Sequence, residues 1–269
     1  MSRWITARRR ALMNAARGID VVALAISYTG TYQDYGVVQM TGGSYRLLAF
    51  TGAGMLNIDK AVRCEVCVVG GGANGYRGAG GAGGYLKNQV LADYSGGAVV
   101  VGAAQGTSSI GGVSVAAVSG QSGGTGGGGY SFTFGAGSGD GISKYPFGDT
   151  AYALLADKPH CAGGAGGGDS HPSNGNYTGG NGGTNGRSGG GANEYDGDGD
   201  PLGGTGGVYG GGNGGRGSSY YQNSGSNATY YGSGGGGYGN GNGVSGSTGS
   251  GYQGIVYVRI PVNQSLLAA

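Results

Sequence analysis

Three aspartates alternate with glycine at Asp196, Asp198 and Asp200. Oxygen ligands recur at positions one, three and five of a calcium-binding loop, so this spacing matches the first half of such a loop. The bidentate glutamate that completes an EF-hand is missing, because Gly207 stands at its position. We therefore interpret the aspartates as a solvated acidic turn and keep calcium as a secondary hypothesis. No other cofactor is expected.

Histidine and cysteine provide two further sets of metal-ligand types. His160, Cys161 and His171 lie within twelve residues, but a fourth ligand is not evident, so we interpret them as loop residues. Cys64 and Cys67 form a C-x-x-C pair inside an apolar run that predicts a strand. Side chains three residues apart on a strand point to opposite faces, so this pair cannot chelate one metal ion and is predicted to be buried.

Tyrosine-rich segments between the glycine blocks contain residue types that suit molecular recognition. Tyrosine, serine, glycine and asparagine dominate antibody paratopes, because tyrosine gives a large amphipathic contact at low entropic cost. Alternatively, these tyrosines cover poorly packed backbone. We predict recognition by segments 195–200 and 220–231 above all. The predicted contact residues are Tyr177, Tyr195, Asp196, Asp198, Tyr220, Tyr221, Asn223, Tyr230 and Tyr231. No catalytic constellation can be assembled, so the chain is not expected to be an enzyme.

A glycine-dense run from about residue 161 to 254 must position these segments. In its blocks, such as 179–183 and 211–215, pairs of glycines are separated by one residue. This period of three is that of a left-handed extended helix without internal hydrogen bonds, whose backbone groups are free to bond neighbouring helices. Disorder is the alternative, because Gly/Ser-rich composition is typical of flexible linkers. The regular blocks favour a bundle of stacked polyglycine II helices over about residues 119–253.

Apolar segments on both sides of the glycine-rich run predict a small antiparallel β framework at residues 45–118 and 254–262. Strands are predicted at 21–27, 45–50, 54–58, 63–69, 85–90, 98–101, 113–118 and 254–262. Residues 28–43 are predicted to be turn-rich, and a turn is expected at 59–60. The last strand should pair with residues 63–69. The predicted fold is thus mainly β and irregular: a glycine-rich domain of residues 45–262, in which the β framework closes the polyglycine bundle, followed by a tail of residues 263–269.

The first 44 residues are predicted to form an attachment segment, with an α-helix over residues 2–17. Trp4, Ile5, Arg8 and Leu12 give this helix a mixed apolar and basic pattern at helical spacing. We expect it to dock onto a partner protein. A surface helix that covers one end of the body, or a helix that lies on a membrane, is the alternative.

Charge and hydropathy exclude several classes of protein. The net charge is +2 and the first twenty residues carry a local +4, which leaves a body of −2. Such a body offers no basic patch for phosphates, so nucleic-acid binding is not expected. No apolar run reaches the length of a membrane span. The first residues contain no clear apolar region followed by a small-residue cleavage site, so a secretory signal is not expected. We expect synthesis in a cytoplasm without secretion.

The chain resembles the glycine-rich domain of bacteriophage tail proteins over about residues 45–261. The resemblance is carried by Tyr45-Arg-Leu-Leu-Ala-Phe, Cys64-Glu-Val-Cys-Val-Val-Gly-Gly-Gly and Gly254-Ile-Val-Tyr-Val-Arg-Ile, with glycine blocks between them. The layout also resembles the distal adhesins of T-even-type long tail fibres, in which an attachment region precedes stacked polyglycine helices whose end loops contact the host.

This resemblance implies a virion protein that binds a host cell-surface protein or glycan. Its N-terminal segment would attach to a tail-fibre or tail-tip protein, either as a single cap on a trimeric fibre or as part of a homotrimer. A structural tail spacer or plug without its own receptor is the alternative. An ice-binding polyglycine bundle ranks lower, because the threonines are scattered.

Overall fold

The fold is described here from a computed structural model. The described residues are 24–75, 80–81, 83–116, 145–149, 152, 160, 169–171, 175–177, 210–215, 224–238, 240–241 and 244–262. Among these residues the chain is mostly antiparallel β-sheet, and no α-helix is present. The predicted N-terminal helix, with Trp4, Ile5, Arg8 and Leu12, lies outside the described residues.

Twelve short and long strands account for the regular structure of these residues. They are β1 (Ile26–Tyr28), β2 (Tyr32–Met40), β3 (Gly43–Phe50), β4 (Gly54–Val69), β5 (Leu86–Val100), β6 (Ser108–Ile110), β7 (Val113–Val115), β8 (Asp169–His171), β9 (Gly175–Tyr177), β10 (Asn240–Gly241), β11 (Val244–Ser245) and β12 (Ile255–Pro261), with one 3-10 turn at Pro146–Gly148. The main sheet has the order β2-β3-β12-β4-β5-β6-β7, and β1 pairs with β4. A small sheet has the order β11-β10-β8-β9.

The last strand, β12, lies in the middle of the main sheet. It pairs antiparallel with β3 on one side and with the end of β4 on the other, so that Val256 lies opposite both Phe50 and Val68. Its residues from Ile255 to Ile260 are all buried. The predicted pairing of this strand with residues 63–69 is confirmed, so two strands that are far apart in the sequence are neighbours in the sheet.

Two predictions about strand boundaries were wrong. Residues 54–58 and 63–69 belong to one strand of 16 residues, not to two strands with a turn at 59–60. The polar residues there lie where the β4–β5 register shifts, between Asn57 and Val62, so they mark an irregularity in a continuous strand. Similarly, residues 85–90 and 98–101 were predicted as two strands, but β5 is one strand of 15 residues.

The prediction that residues 28–43 are turn-rich was also wrong, since β2 occupies nine of them. Gly36 has a φ of +67° and lies where the pairing register shifts between Asp34 and Val37. The bulge interrupts the alternating pattern from which a strand is recognised. Asp34 is polar but is held by Arg46 across the pair, with 2.7 Å between Oδ2 and Nη2.

The main sheet buries apolar side chains on both faces. Leu56 and Val66, from the two halves of β4, share one cluster with Phe50 of β3, so both halves of this strand contribute to the same core. The opposite face of β3, β12 and β4 carries a second cluster. Cys64 belongs to the first cluster and Cys67 to the second, and both are buried thiols outside any disulfide, on opposite faces as the strand period predicts.

Glycine-rich segments outside the strands are bonded to one another through their backbones. Four pairs of segments show the same repeat: two backbone N–H groups that are three residues apart on one segment donate to two carbonyl groups that are three residues apart on the other. The pairs are Gly212 to Gly234 and Gly215 to Gly237, Gly225 to Ser247 and Ala228 to Ser250, Gly72 to Tyr252 and Gly75 to Gly249, and Gly84 to Gly232 and Gly81 to Gly235, with N···O distances of 2.6–2.9 Å. The first two pairs run parallel and the last two antiparallel.

Glycine is required where these segments approach each other most closely. A Cβ on Gly236 would lie within 3.0 Å of the Asn213 carbonyl group, and a Cβ on Gly72 would overlap the Ser233 carbonyl in the same way. Because the obstructing atoms belong to backbone, no side-chain rotation can make room. The absence of a Cβ is therefore what allows the backbone hydrogen bonds between segments to form.

Candidate recognition surface

Most of the predicted receptor contacts lie outside the described residues. They are Tyr195, Asp196, Asp198, Tyr220, Tyr221 and Asn223, together with Asp200 of the secondary calcium hypothesis. Tyr177 is the last residue of β9, where it pairs with Asp169 of β8. Tyr230 and Tyr231 are the two predicted contacts whose side chains are described.

Tyr230 and Tyr231 are half-buried and pack around His160. The His160 ring centroid lies 5.1 Å from that of Tyr230 in an edge-on arrangement and 6.1 Å from that of Tyr231 in a stacked arrangement. Burial raises the pKa of Tyr230 to about 12 and also raises the pKa of Tyr231. Both phenols are therefore neutral hydrogen-bonding groups near neutral pH, with apolar ring faces that are used for packing.

His160 connects this aromatic group to the main sheet. Its side chain is fully buried, and its Nε2 lies 2.9 Å from the hydroxyl of Tyr257 on β12. Burial raises the pKa of Tyr257 well above its ordinary value. Sequence analysis treated His160 as a loop residue beside Cys161 and His171, and missed its partner Tyr257 because 97 residues separate the two.

No side chains that the structure describes join His160 in a metal centre. Cys161 lies outside the described residues, and His171 is placed in β8 by its backbone alone. Within the described part of the chain, no group of three or more His, Cys, Asp or Glu residues could hold a metal ion. Among the described residues, the rings of Tyr230, Tyr231 and Tyr257 pack against His160, and the Tyr257 hydroxyl lies within hydrogen-bond distance of its Nε2.

The aromatic group reaches the surface at Tyr252. This side chain is 37% exposed, and its ring centroid lies 5.6 Å from that of Tyr231 in an edge-on arrangement. The same glycine-rich segments expose a set of small polar side chains: Asn213, Ser224, Ser226, Asn227, Thr229, Ser247, Thr248 and Ser250. We call Tyr230, Tyr231, Tyr252 and these polar residues the recognition surface. It combines a fixed aromatic edge with hydroxyl and amide groups.

Several of the polar side chains are fixed by bonds to neighbouring backbone. Ser224 Oγ accepts a hydrogen bond from the Ser247 N–H at 3.0 Å, and Asn227 Oδ1 accepts one from the Ser250 N–H at 2.8 Å. The two accepting side chains are three residues apart on one segment, and the two N–H donors are three residues apart on the other. These side chains are therefore held in one orientation by the neighbouring segment, and an interaction made through them would carry a lower entropic cost.

A buried ion cluster lies on the same face of the sheet and was also missed by sequence analysis. Arg259 of β12 bonds to Glu65 of β4, with 2.8 Å between Nη2 and Oε2. Its guanidinium lies between the rings of Tyr45 and Phe147, at 4.3 and 4.5 Å from their centroids. The fully buried Asp149 lies nearby, with 3.9 Å between its Oδ2 and Arg259 Nη1. A lone arginine in an apolar strand was the signal that could have indicated a buried acid.

Comparison with known proteins provides no relative for this chain. No protein-family model, no curated protein and no solved structure matches it. None of the residues that the structure describes forms an apolar helix of membrane-spanning length. Function must therefore be inferred from the residues and their geometry.

Proposed function

We propose that the chain is a bacteriophage tail-tip or tail-fibre adhesin that binds a protein or glycan on the host bacterial surface. On this proposal it acts by binding alone, is carried on the virion, and is attached to a tail-fibre or tail-tip protein by its N-terminal segment. The recognition surface, extended by the Tyr/Asn/Ser-rich segments at 195–200 and 220–231, would make the contact with the receptor.

The proposal depends on a stiff frame, which we infer to be a bundle of stacked polyglycine II helices. The observation that supports it most strongly is the three-residue step of the backbone hydrogen bonds, for example from Gly225 and Ala228 to Ser247 and Ser250. A left-handed helix with three residues per turn presents the same backbone groups to a neighbour at this interval. Glycine at the closest approaches, as at Gly236, supports the same inference.

A frame of this kind suits recognition, because rigid scaffolds carry binding residues on their connecting segments. Tyr230 and Tyr231 lie at the end of the bonded segment 224–229 and pack on His160. Tyr252 extends this aromatic group into solvent, and exposed hydroxyl and amide side chains occur on the same glycine-rich segments. Tyrosine rings with hydroxyl and amide neighbours are the residue types that dominate paratopes, which supports receptor binding over a purely mechanical role.

Adsorption of phage particles tests this proposal. Alanine at Tyr220, Tyr221 and Tyr252 should abolish adsorption to host cells while particles still assemble and carry the protein at the tail extremity, as seen by immunogold electron microscopy. Tyr85→Ala is the matched control, since this tyrosine is 41% exposed but precedes β5, outside the recognition surface. Normal adsorption by the triple variant would refute the adhesin function and favour the structural spacer or plug.

A further inference from the structure

One short segment, Tyr145–Asp149, crosses a face of the main sheet; we call it the strap. At one end the Phe147 N–H donates to Asn88 Oδ1 of β5 at 3.1 Å. At the other end Asp149 Oδ2 accepts a 2.6 Å hydrogen bond from the Thr41 N–H, in the β2–β3 turn. In the order of the sheet, β4, β12 and β3 lie between these two attachment points.

Between its two ends, the strap is held by Arg259. The guanidinium is enclosed by a ring from the sheet, Tyr45, and a ring from the strap, Phe147. It is likewise placed between a carboxylate from the sheet, Glu65, and one from the strap, Asp149. A single cation thus joins two aromatic rings and two acids that come from distant parts of the chain. Glu65 is within hydrogen-bond distance of the guanidinium, whereas Asp149 forms an ion pair with it at 3.9 Å. Cation–π contacts and ion pairs are strengthened when, as here, the cation is almost excluded from water.

The strap itself has an unfavourable backbone conformation. Phe147 has φ and ψ of +60° and +10°, in the left-handed region that residues with a side chain rarely adopt. Gly148, which follows, has a φ of +66°. The strap has no β-ladder to hold it, unlike the strands beneath it. Its position therefore depends on the side-chain contacts of Asn88, Asp149 and Arg259.

The sheet does not depend on the strap in the same way. None of the strap residues belongs to the larger apolar cluster, which is formed by strands β1 to β7 and β12 with Leu24. In the strap, Pro146 and Asp149 are buried, and Phe147 packs at the margin of the second cluster. A five-residue element that lies outside the β-ladders opens locally at lower free energy than the core strands.

We propose that the strap is a releasable clasp, fastened by Arg259, that detaches from the sheet by local opening while the sheet stays folded. Release exposes Tyr45, Glu65 and Arg259, which form a patch of one aromatic ring, one acid and one cation on β3, β4 and β12. The clasp is a conformational device in addition to the proposed receptor binding, and it requires no assumption about a receptor.

Limited proteolysis of the full chain with chymotrypsin tests the clasp. Cleavage after Phe147 requires the strap to leave the sheet, and mass spectrometry measures its rate. Asp149→Asn and Arg259→Met should accelerate this cleavage by roughly tenfold or more, because each removes a charge from the cluster. Asn88→Ala should accelerate it without risk to folding, since Asn88 is exposed and bonds the strap from the surface. Arg46→Met, which removes the Arg46–Asp34 pair elsewhere in the sheet, is the control and should leave the rate unchanged.

Two results would overturn the proposal. The first is an unchanged rate of cleavage after Phe147 in both Asn88→Ala and Asp149→Asn. The second is a rise that occurs only together with cleavage after Phe50 and Tyr257, since those sites are buried in β3 and β12 and are cut only when the sheet unfolds.

Discussion

Replacing Gly236 with alanine tests whether close backbone packing stabilises the glycine-rich segments. Gly236 lies among three other segments: its N–H donates to the Ser226 carbonyl at 2.9 Å, its carbonyl accepts from the Gly249 N–H at 2.8 Å, and an added Cβ would overlap the Asn213 carbonyl. Its φ is outside the left-handed region, so alanine is not excluded by backbone conformation. Any destabilisation must come from the overlap.

The magnitude follows from what the overlap would displace. Overpacking in a close-packed interior costs about 1–3 kcal/mol. If the segment moves away from Asn213, the two backbone hydrogen bonds of Gly236 are weakened, and each contributes about 0.5–1.5 kcal/mol. We therefore expect Gly236→Ala to lower the free energy of unfolding by roughly 2–6 kcal/mol. For a domain of this size that corresponds to a fall in Tm on the order of 10 °C.

Differential scanning calorimetry of the full chain measures this change. The matched control is Thr248→Ala, because Thr248 is exposed in the segment that also contains Gly249. Substitutions at such surface positions usually change stability by no more than about 0.5 kcal/mol. If the Tm of Gly236→Ala lies within 1 °C of the Tm of Thr248→Ala, the bonded segments do not contribute to the stability of the folded state. That result would refute the claim that close backbone packing at Gly236 stabilises the protein.

Two further predictions concern titration and thiol reactivity. Burial raises the pKa of Tyr94 and of Tyr230 to about 12, so the folded state retains these protons when the unfolded state loses them near pH 10. Their contribution to the free energy of unfolding is complete below pH 10 and is lost as the pH rises towards 12. Urea denaturation at a series of pH values should therefore show that the free energy of unfolding decreases less steeply with pH in Tyr94→Phe and Tyr230→Phe than in the wild type. An equal dependence on pH in wild type and variants would contradict this. Burial also raises the pKa of Cys64 to about 12, and Cys67 is buried. Iodoacetamide should therefore modify both thiols far more slowly in the native chain than in urea, as measured by peptide mass spectrometry. Comparable rates in the two conditions would show that the sheet does not protect them.

The strand pairing at the centre of the sheet could be predicted from sequence, because residues 254–262 are strongly apolar and have no local partner. The continuity of β4 could not be predicted in the same way. Asp59 and Lys60 have the composition of a turn, and only the register shift on β5 shows that the strand continues through them. The bulge at Gly36 concealed β2 for a related reason, since local irregularity removes the period on which strand prediction depends.

The buried polar contacts could not be predicted from the sequence. His160 and Tyr257 are 97 residues apart, and Arg259 lies 194 residues from Glu65, so no local pattern joins them. Tyr230 and Tyr231 were predicted as receptor contacts, and the sequence did not indicate that their rings pack with His160 in a half-buried aromatic cluster. Tyr252, the exposed member of that cluster, was not selected, because it stands alone beside the last strand. The receptor roles of all three tyrosines remain predictions.

Amide hydrogen exchange tests the central claim most directly, since that claim is that backbone-to-backbone bonds hold the glycine-rich segments in one frame. In the ¹⁵N-labelled full chain, the amides of Gly75, Gly81, Gly225 and Gly236, whose N–H groups are bonded across segments, should be protected to within about tenfold of the Val256 and Val258 amides in the central strand. Exchange of these glycine amides at the rate of an unstructured peptide, with β12 still protected, would contradict the account.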